Sequence, residues 1–286
     1  MPQYLDWLID YFLRKKPGEW IVTEPAPPTD PDNPAKHIFI VGFPRSGTTL
    51  LEHILGCHPG AVTTDEKDGF SDSVRDFMAT PADLNRLAQA QRSILTGYRR
   101  LYWQRMRERG LDHKNRVFID KQPYNALKLP LVVKLFPGAR IVFVVRDPRD
   151  VILSCFRQRF RMNPSNFELL TLEGAAKFYD ASFRLFELYR IKLPLDIRLV
   201  RQEDLVSNFD SEVHALCDFL EVPWNKTMRT FEDRARRQVG ATPSASQVTK
   251  GLNRSGMAQW RHYANELAPA VPILEPWIKR FGYDAS

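Results

Sequence analysis

The sequence predicts an α/β fold, a three-layer sandwich in which helices flank a mostly parallel central sheet. Short apolar runs rich in β-branched residues are typical of buried strands, and residues 37–41 and 140–145 are two such runs. Segments with helical spacing of apolar residues lie between these runs. Because strands and helices alternate along the chain, an α/β architecture is expected.

The elements follow in order from the N-terminus. Apolar residues at helical spacing predict a helix over residues 4–14, and the Pro-rich stretch 24–31 cannot form a helix or a central strand. The sequence predicts strands at 37–41, 116–120, 140–145 and 196–200. It predicts helices at 48–57, 81–109 (one or two), 126–136, 148–160, 169–191 and 211–220. The tail from about residue 230 lacks strand character. We therefore expect an N-terminal helix and linker, residues 1–36, and a single domain, residues 37–286.

The composition is that of a globular enzyme, with 43% hydrophobic and 26% charged residues in 286. No run of about 18 apolar residues occurs, so no membrane span is expected. The N-terminus has no basic region ahead of an apolar run and does not resemble a secretory signal. Three cysteines, Cys57, Cys155 and Cys217, are too few for a disulfide framework. These features predict a cytoplasmic protein.

The net charge of +7 is compatible with a nucleic-acid, membrane or acidic small-molecule partner. Basic residues are spread along the chain and do not alternate with aromatic ones, as they would in a single-strand binding surface. A nucleic-acid-binding module remains the non-enzyme alternative, but no nucleic-acid partner is predicted. The sequence leaves the oligomeric state open.

A phosphate-binding loop is the strongest local signal. Residues 42–49, Gly-Phe-Pro-Arg-Ser-Gly-Thr-Thr, follow a strand and precede a helix, an arrangement that aims backbone N–H groups at a phosphate. The glycine spacing makes the expected fold P-loop-type, yet Thr48 stands where nucleotide kinases carry a lysine for the β- and γ-phosphates. Arg45 offers a fork of donors to one phosphate or sulfate instead. A P-loop kinase or NTPase remains the alternative enzyme, and a plain tight turn the structural alternative.

A second candidate anion site follows the strand at residues 140–145. Arg146 lies at the end of this strand, and Ser154 lies on the helix predicted after it, so both could reach one phosphate. The alternative is an Arg–Asp surface network within residues 146–150. Two neighbouring strands that end in phosphate-competent turns favour a ligand site at that edge of the sheet.

These two segments together resemble sulfotransferases that use 3′-phosphoadenosine 5′-phosphosulfate (PAPS). Residues 42–51 resemble their 5′-phosphosulfate loop, and residues 146–150 with Ser154 resemble their 3′-phosphate segment. The likeness is greatest to bacterial sulfotransferases often fused to tetratricopeptide repeats, then to tyrosylprotein sulfotransferases, and runs from 38 to 283. It implies donor contacts from Arg45, Ser46, Gly47, Thr48, Thr49, Arg146 and Ser154.

The resemblance implies catalytic roles as well. Glu66 falls at the family's catalytic base, Lys121 at the lysine that stabilises the transferring group, and Ser244 at the serine of a late loop that closes over the donor. The same loop implies donor contacts from Gln247, Val248 and Lys250. Without the resemblance, Glu66 among neighbouring charges would be interpreted as a solvated side chain.

Two positions depart from the family's pattern. Gln259 precedes Trp260 where an arginine or lysine is usual, and residues 201–206 leave an adenosine-side contact unassigned. The implied reaction is in-line sulfuryl transfer from PAPS to a hydroxyl acceptor, which leaves 3′-phosphoadenosine 5′-phosphate (PAP). It requires no metal, and the sequence has no His/Cys cluster at ligand spacing. A tyrosine peptide, a sugar hydroxyl and a small phenol all remain open as acceptors.

Overall fold

The structure is a computed structural model that describes residues 1–20, 33–237 and 248–284. At its centre lies a five-stranded sheet in which every pairing of the described strands is parallel. The strands are β1 (Lys36–Gly42), β2 (Ala61–Thr63), β3 (Val117–Lys121), β4 (Arg140–Val145) and β5 (Ile197–Arg201). Their spatial order is β2-β3-β1-β4-β5. Parallel strands place all their carboxyl ends at one edge, so the loops that follow them meet there.

Helices cover both faces of the sheet. Side chains of β1 alternate between two apolar cores: Phe39 and Val41 pack into one, and Ile38 and Ile40 into the other. The described α-helices are α1 (Pro2–Arg14), α2 (Thr48–Gly56), α3 (Ser71–Phe77), α4 (Pro81–Ala88), α5 (Arg92–Glu108), α6 (Leu129–Leu135), α7 (Pro148–Phe156), α8 (Pro164–Phe167), α9 (Leu172–Lys192), α10 (Gln202–Ser207), α11 (Phe209–Leu220), α12 (Phe231–Arg237), α13 (Ala264–Leu267) and α14 (Val271–Arg280). Two cores on opposite faces of one parallel sheet confirm the predicted three-layer α/β sandwich.

The predicted elements match the structure with a few exceptions. Four strands agree with the prediction to within one residue at either end, but β2 is not predicted. Residues 81–109 form two helices, and 126–136 begins with a 3-10 segment, Pro123–Lys128. The helix expected to reach residue 160 ends at Phe156. Residues 157–159 carry no apolar side chain that could continue the buried face of that helix.

The N-terminal helix packs on the sandwich. Leu5, Leu8 and Phe12 are fully buried, and the Phe12 ring lies 4.8 Å from the ring of Tyr189 on α9. The boundary at residue 36 between the N-terminal segment and the domain stays a prediction. Among the described residues, no helix is long and apolar enough to cross a membrane.

Candidate functional site

The loop between β1 and α2 lies at the carboxyl edge of the sheet. A Cβ at Gly42 would lie 2.6 Å from the carbonyl oxygen of Val144, so only glycine allows β1 and β4 to end this close together. Arg45 and Gly47 both have left-handed backbones, with φ of 69° and 101°. The left-handed backbone conformation of an arginine costs about 1–3 kcal/mol, which contacts with the surrounding structure must offset. Gly47 is the N-cap residue of α2, so the loop leads directly into a helix N-terminus, where backbone N–H groups can bind an anion.

Two hydrogen bonds join this loop to the segment after β4. Arg45 donates from Nε to the hydroxyl of Ser154 at 3.0 Å, and Arg146 donates from Nη1 to the carbonyl oxygen of Arg45 at 3.1 Å. A second donor of Arg146, Nη2, reaches the carbonyl oxygen of Gly256 in the C-terminal part of the chain. The structure therefore brings the two predicted anion segments into a single site.

A cavity of about 400 Å³ opens between these segments. That volume lies within the range of small-molecule sites. The predicted donor-binding residues in its lining are Arg45, Gly47, Thr49, Arg146, Ser154, Val248 and Lys250. Ser46 and Thr48 do not line the cavity, because both are buried in the loop itself. Ser244 and Gln247 lie outside the described residues.

Some polar atoms around the cavity lack partners among the described residues. Ser46 Oγ and Arg146 Nε are buried without a hydrogen bond, as is Oδ2 of Asp150. Leaving such a group unsatisfied costs about 1–3 kcal/mol. Of these residues, Arg146 lines the cavity, so an anion bound there would satisfy its guanidinium donor. The residues present therefore fit a phosphate-bearing nucleotide.

A cluster of one lysine and two glutamates lies at the end of β3. The side chain of Lys121 is fully buried, and its Nζ lies 2.9 Å from Oε1 of Glu66 and 3.0 Å from Oε2 of Glu52. Burial disfavours the ammonium, but the two carboxylates outweigh burial, so the pKa of Lys121 is raised. Burial also raises the pKa of Glu52, against the opposing effect of Lys121. Lys121 is therefore charged at neutral pH.

The backbone that presents Glu66 is unusual. Asp65 and Glu66 are consecutive left-handed residues, with φ of 48° and 64°. The Glu66 amide donates to the carbonyl oxygen of Lys121 at 3.0 Å, and Gln122 donates from Nε2 to the carbonyl oxygen of Glu66 at 3.2 Å. The Glu66 side chain is 32% exposed, so one end reaches the cluster while part remains accessible to a second molecule.

The phosphate loop and the cluster act on each other electrostatically. Burial lowers the pKa of the Arg45 guanidinium, and the carboxylate of Glu66 is among the charges that oppose this shift. The buried thiol of Cys155, whose pKa burial raises to about 12, donates to the carbonyl oxygen of Pro44 beneath the loop. The carboxylate of Glu66 thus lies near enough to the anion loop to act on Arg45, although neither Glu66 nor Lys121 lines the cavity.

The Arg–Asp network within residues 146–150 is present, but it is buried. Arg149 makes two hydrogen bonds to the carboxylate of Asp147, at 3.0 and 2.8 Å, and its guanidinium lies 3.5 Å from the ring centroid of Trp260. The Trp260 amide donates to Oδ1 of Asp150 at 2.8 Å. Arg149 and Asp150 therefore attach the C-terminal segment to the site, while Arg146 remains directed at the cavity.

Several residues of the site are absent from the sequence predictions. Glu52 is one, although a lone carboxylate in the apolar helix after the loop was a usable signal. Gln202 lines the cavity, and its side chain would lie 3.0 Å from a Cβ at Gly47. It belongs to residues 201–206, which the family pattern left unassigned on the adenosine side. Arg157 also lines the cavity. Gln259, one of the departures from the pattern, lines it too and donates from Nε2 to the carbonyl oxygen of Ser255.

Related sequences include an uncharacterised protein and several proteins named as protein-tyrosine sulfotransferases. An uncharacterised protein of Aquifex aeolicus (strain VF5) is 26% identical over 259 residues, which cover 87% of this chain and 33% of that protein. This chain thus spans only about a third of that relative. Protein-tyrosine sulfotransferase 2 of Gallus gallus is 22% identical over 264 residues, which cover 86% of this chain and 69% of that enzyme.

Solved structures share the fold. The sulfotransferase domain of the Synechococcus PCC 7002 olefin synthase superposes with a TM-score of 0.60 at 23% identity, over 92% of this chain and 99% of that domain. The sulfotransferase domain from the curacin biosynthetic pathway gives 0.61 at 20% identity, over 88% of this chain and 99% of that domain. At such identities the likeness establishes the fold alone.

A family model described as the sulfotransferase family matches residues 37–226, which is well over half of the chain. The matched range contains the anion loop, the segment after β4 and the lysine–glutamate cluster. These comparisons do not favour the P-loop kinase alternative. The chain belongs to the sulfotransferase family, and its reaction is sulfuryl transfer.

Proposed function

We propose that the sulfuryl donor is PAPS and that the cavity between the two anion segments holds it. The observation that carries this proposal is the pair of contacts from Arg45 to Ser154 and from Arg146 to the Arg45 carbonyl, which gives one cavity two arginine-bearing walls. A nucleotide with phosphate groups at both its 5′ and 3′ ends needs two such walls. The unsatisfied Nε of Arg146, a residue that lines the cavity, supplies a hydrogen-bond donor for it.

The two ends of the donor have different partners in this proposal. The loop amides, Arg45 and the hydroxyls of Thr48 and Thr49 hold the 5′-phosphosulfate at the N-terminus of α2, where the helix dipole favours an anion. Arg146 and Ser154 hold the 3′-phosphate. Lys250 lines the same cavity and adds a cation to it. Gln247 and Val248 complete the donor contacts.

Glu66, Lys121 and Ser244 carry the chemical step in this proposal. Glu66 receives the proton of the acceptor hydroxyl as the acceptor oxygen bonds to sulfur. The bond from sulfur to the leaving phosphate oxygen breaks, and Arg45, Lys121 and the loop amides stabilise the charge that collects there. Ser244 donates a hydrogen bond in the same region. The roles of Glu66, Lys121 and Ser244 follow from the family resemblance, and the contact of Lys121 with Glu66 supports the first two.

The acceptor is a hydroxyl compound, and a peptide tyrosine is the first candidate. The named relatives with sequence similarity are protein-tyrosine sulfotransferases. Sugar hydroxyls and small phenols remain alternatives. We place the protein in the cytoplasm, because all three cysteines are free thiols, as expected in a reducing compartment. We propose no role for a metal ion or for nucleic acid.

A labelled-PAPS transfer assay tests the proposal against an acceptor panel of tyrosine peptides, glycans and phenols. Incorporation of label into one acceptor class, without added metal, is the expected result. Differential scanning fluorimetry supplies the test of the donor: PAP should raise the melting temperature more than ATP with Mg²⁺ does. A larger shift with ATP and Mg²⁺, together with no transfer from PAPS, would overturn the assignment of the donor.

A further inference from the structure

Glu52 is a buried carboxylate with a partner on each oxygen. It lies on α2, one turn after the anion loop, and is only 3% exposed. Its Oε1 accepts the backbone N–H of Asp65 at 2.9 Å, and its Oε2 pairs with Nζ of Lys121 at 3.0 Å. A single side chain on the helix therefore contacts both the lysine and the strained backbone that presents Glu66.

Stability alone is a poor explanation for a charge at this position. Removing a carboxylate from water costs several kcal/mol, and a buried ion pair seldom gains more than an apolar pair of the same size. Leu55, three residues further along α2 and so on the same side of the helix as Glu52, is buried and apolar, so an apolar residue could also have stood at position 52. The carboxylate of Glu52 therefore needs an explanation other than stability.

We infer that Glu52 is a positioning residue, which fixes the Lys121 ammonium and the Asp65–Glu66 backbone so that both face the transferring group. The inference rests on the proposed roles of Lys121 and Glu66. An ammonium has three N–H donors. Glu52 and Glu66 take two of them, and in this inference the third donates to the sulfuryl group or the leaving oxygen.

Glu52 also keeps Lys121 compensated during the reaction. When Glu66 accepts the acceptor proton, it loses its negative charge, and Asp65, at 4.0 Å from Nζ, is too distant and too exposed to replace it. The carboxylate of Glu52 remains, so the buried ammonium is never left without a counter-ion. Without Glu52, Lys121 would be drawn to Glu66 alone, and a carboxylate held by an ammonium is a weaker base.

The substitution Glu52→Gln tests the contacts of Glu52 with Asp65 and Lys121 with almost no change in side-chain volume. In Glu52 a different oxygen contacts each partner, and glutamine replaces one of these oxygens by an NH2 donor, so in the same side-chain position either the Asp65 amide or the Lys121 ammonium loses its acceptor. Glu187→Gln is the matched control: Glu187 lies on α9 away from the cavity and also pairs with two cations, Arg190 at 3.1 Å and Arg280 at 3.2 Å. Both variants are assayed with labelled PAPS and the panel acceptor that gives the highest wild-type rate.

For Glu52→Gln we expect kcat to fall by about tenfold or more, while KM for PAPS and the Kd of PAP stay within about threefold of wild type. Glu187→Gln should keep kcat at the wild-type value. Glu52→Asp, which keeps the charge and both oxygens, should recover part of the loss. A merely structural role for Glu52 would weaken PAP binding and lower kcat together.

Either of two results overturns the inference: wild-type kcat in Glu52→Gln, or a loss of PAP affinity as large as the loss of kcat. If the wild-type protein neither binds PAP nor uses PAPS, the proposed function fails and the inference fails with it. If the wild type is active and Glu52→Gln is equally active, only the inference fails.

Discussion

Arg45 donates from Nε to the hydroxyl of Ser154 at 3.0 Å, a hydrogen bond between residues 109 positions apart in the chain. The bond joins the loop after β1 to the helix after β4, and these two strands are direct neighbours in the sheet. Gly42 has no side chain, and this allows the ends of β1 and β4 to lie close together. The geometry of the anion site thus follows from the order of two strands and one glycine.

Arg45→Ala should remove both the donor site and the activity. A hydrogen bond to a charged group contributes about 1.5–3 kcal/mol, so the Kd of PAP should rise by about ten- to a hundredfold. Transfer from PAPS should become undetectable, because the leaving phosphate also loses its cation. Calorimetry with PAP measures the first effect. Ser154→Ala, which leaves the guanidinium in place, should weaken PAP binding less than Arg45→Ala does; the reverse order would contradict the assigned roles.

Arg146→Ala should distinguish the two ends of the donor. If Arg146 holds the 3′-phosphate, the variant binds PAP about ten- to a hundredfold more weakly than wild type but binds 5′-AMP, which lacks that phosphate, almost equally well. Titration of both nucleotides into wild type and variant measures the difference. Equal losses for the two nucleotides would mean that Arg146 acts only by holding the Arg45 carbonyl oxygen, to which it donates at 3.1 Å.

Glu66→Gln should lower kcat by about a hundred- to ten-thousandfold, the usual contribution of a general base. The Kd of PAP should not change, because the side chain lies outside the cavity lining. Asp65→Asn is the neighbouring control and should cost far less, since Asp65 lies 4.0 Å from Nζ of Lys121 and is 43% exposed. If kcat survived in Glu66→Gln, the base would have to be sought elsewhere, first among the histidines.

Much of the fold follows from local patterns in the sequence. The apolar run of β4 is buried on both faces and reads directly as a central parallel strand. β2 does not, because three half-buried residues, Ala-Val-Thr, form an edge strand whose existence depends on pairing with β3. Such a short segment has no periodicity to detect. Whether these three residues form a strand is decided by their pairing with β3, which the local sequence does not encode.

The candidate site shows the same division. The loop containing Arg45 can be recognised by its spacing, and the family resemblance supplies Glu66 and Lys121. Neither source predicts that Glu52 would share the lysine, since that contact depends on how α2 lies against β3. Arg149 is the opposite case: it belongs to the recognised segment, yet its contacts with Asp147 and Trp260 make it structural.

The stability of the protein should depend on pH through Asp120. This residue is fully buried beside Lys121, and burial raises its pKa to about 7, although the hydrogen bond from Tyr102 Oη at 2.6 Å opposes the shift. A carboxyl with a pKa higher in the folded than in the unfolded chain binds more protons when folded. The free energy of unfolding should therefore fall as pH rises from about 4 to about 7, by at most about 4 kcal/mol from this group.

Asp120→Asn isolates that contribution. The asparagine oxygen can still accept from Tyr102. Asn125 donates from Nδ2 to Oδ1 of Asp120 at 3.2 Å in the wild type, so its amide must turn over for its Oδ1, which lacks a hydrogen-bond partner among the described residues, to accept from the new amide N–H. Urea unfolding at pH 5 and pH 8 measures the free energy in both proteins. We expect the wild type to lose more stability than the variant between these two values, because only the wild type must ionise a buried carboxyl. Equal losses in the two proteins would show that Asp120 titrates as an ordinary carboxyl, with the proton already gone at pH 5.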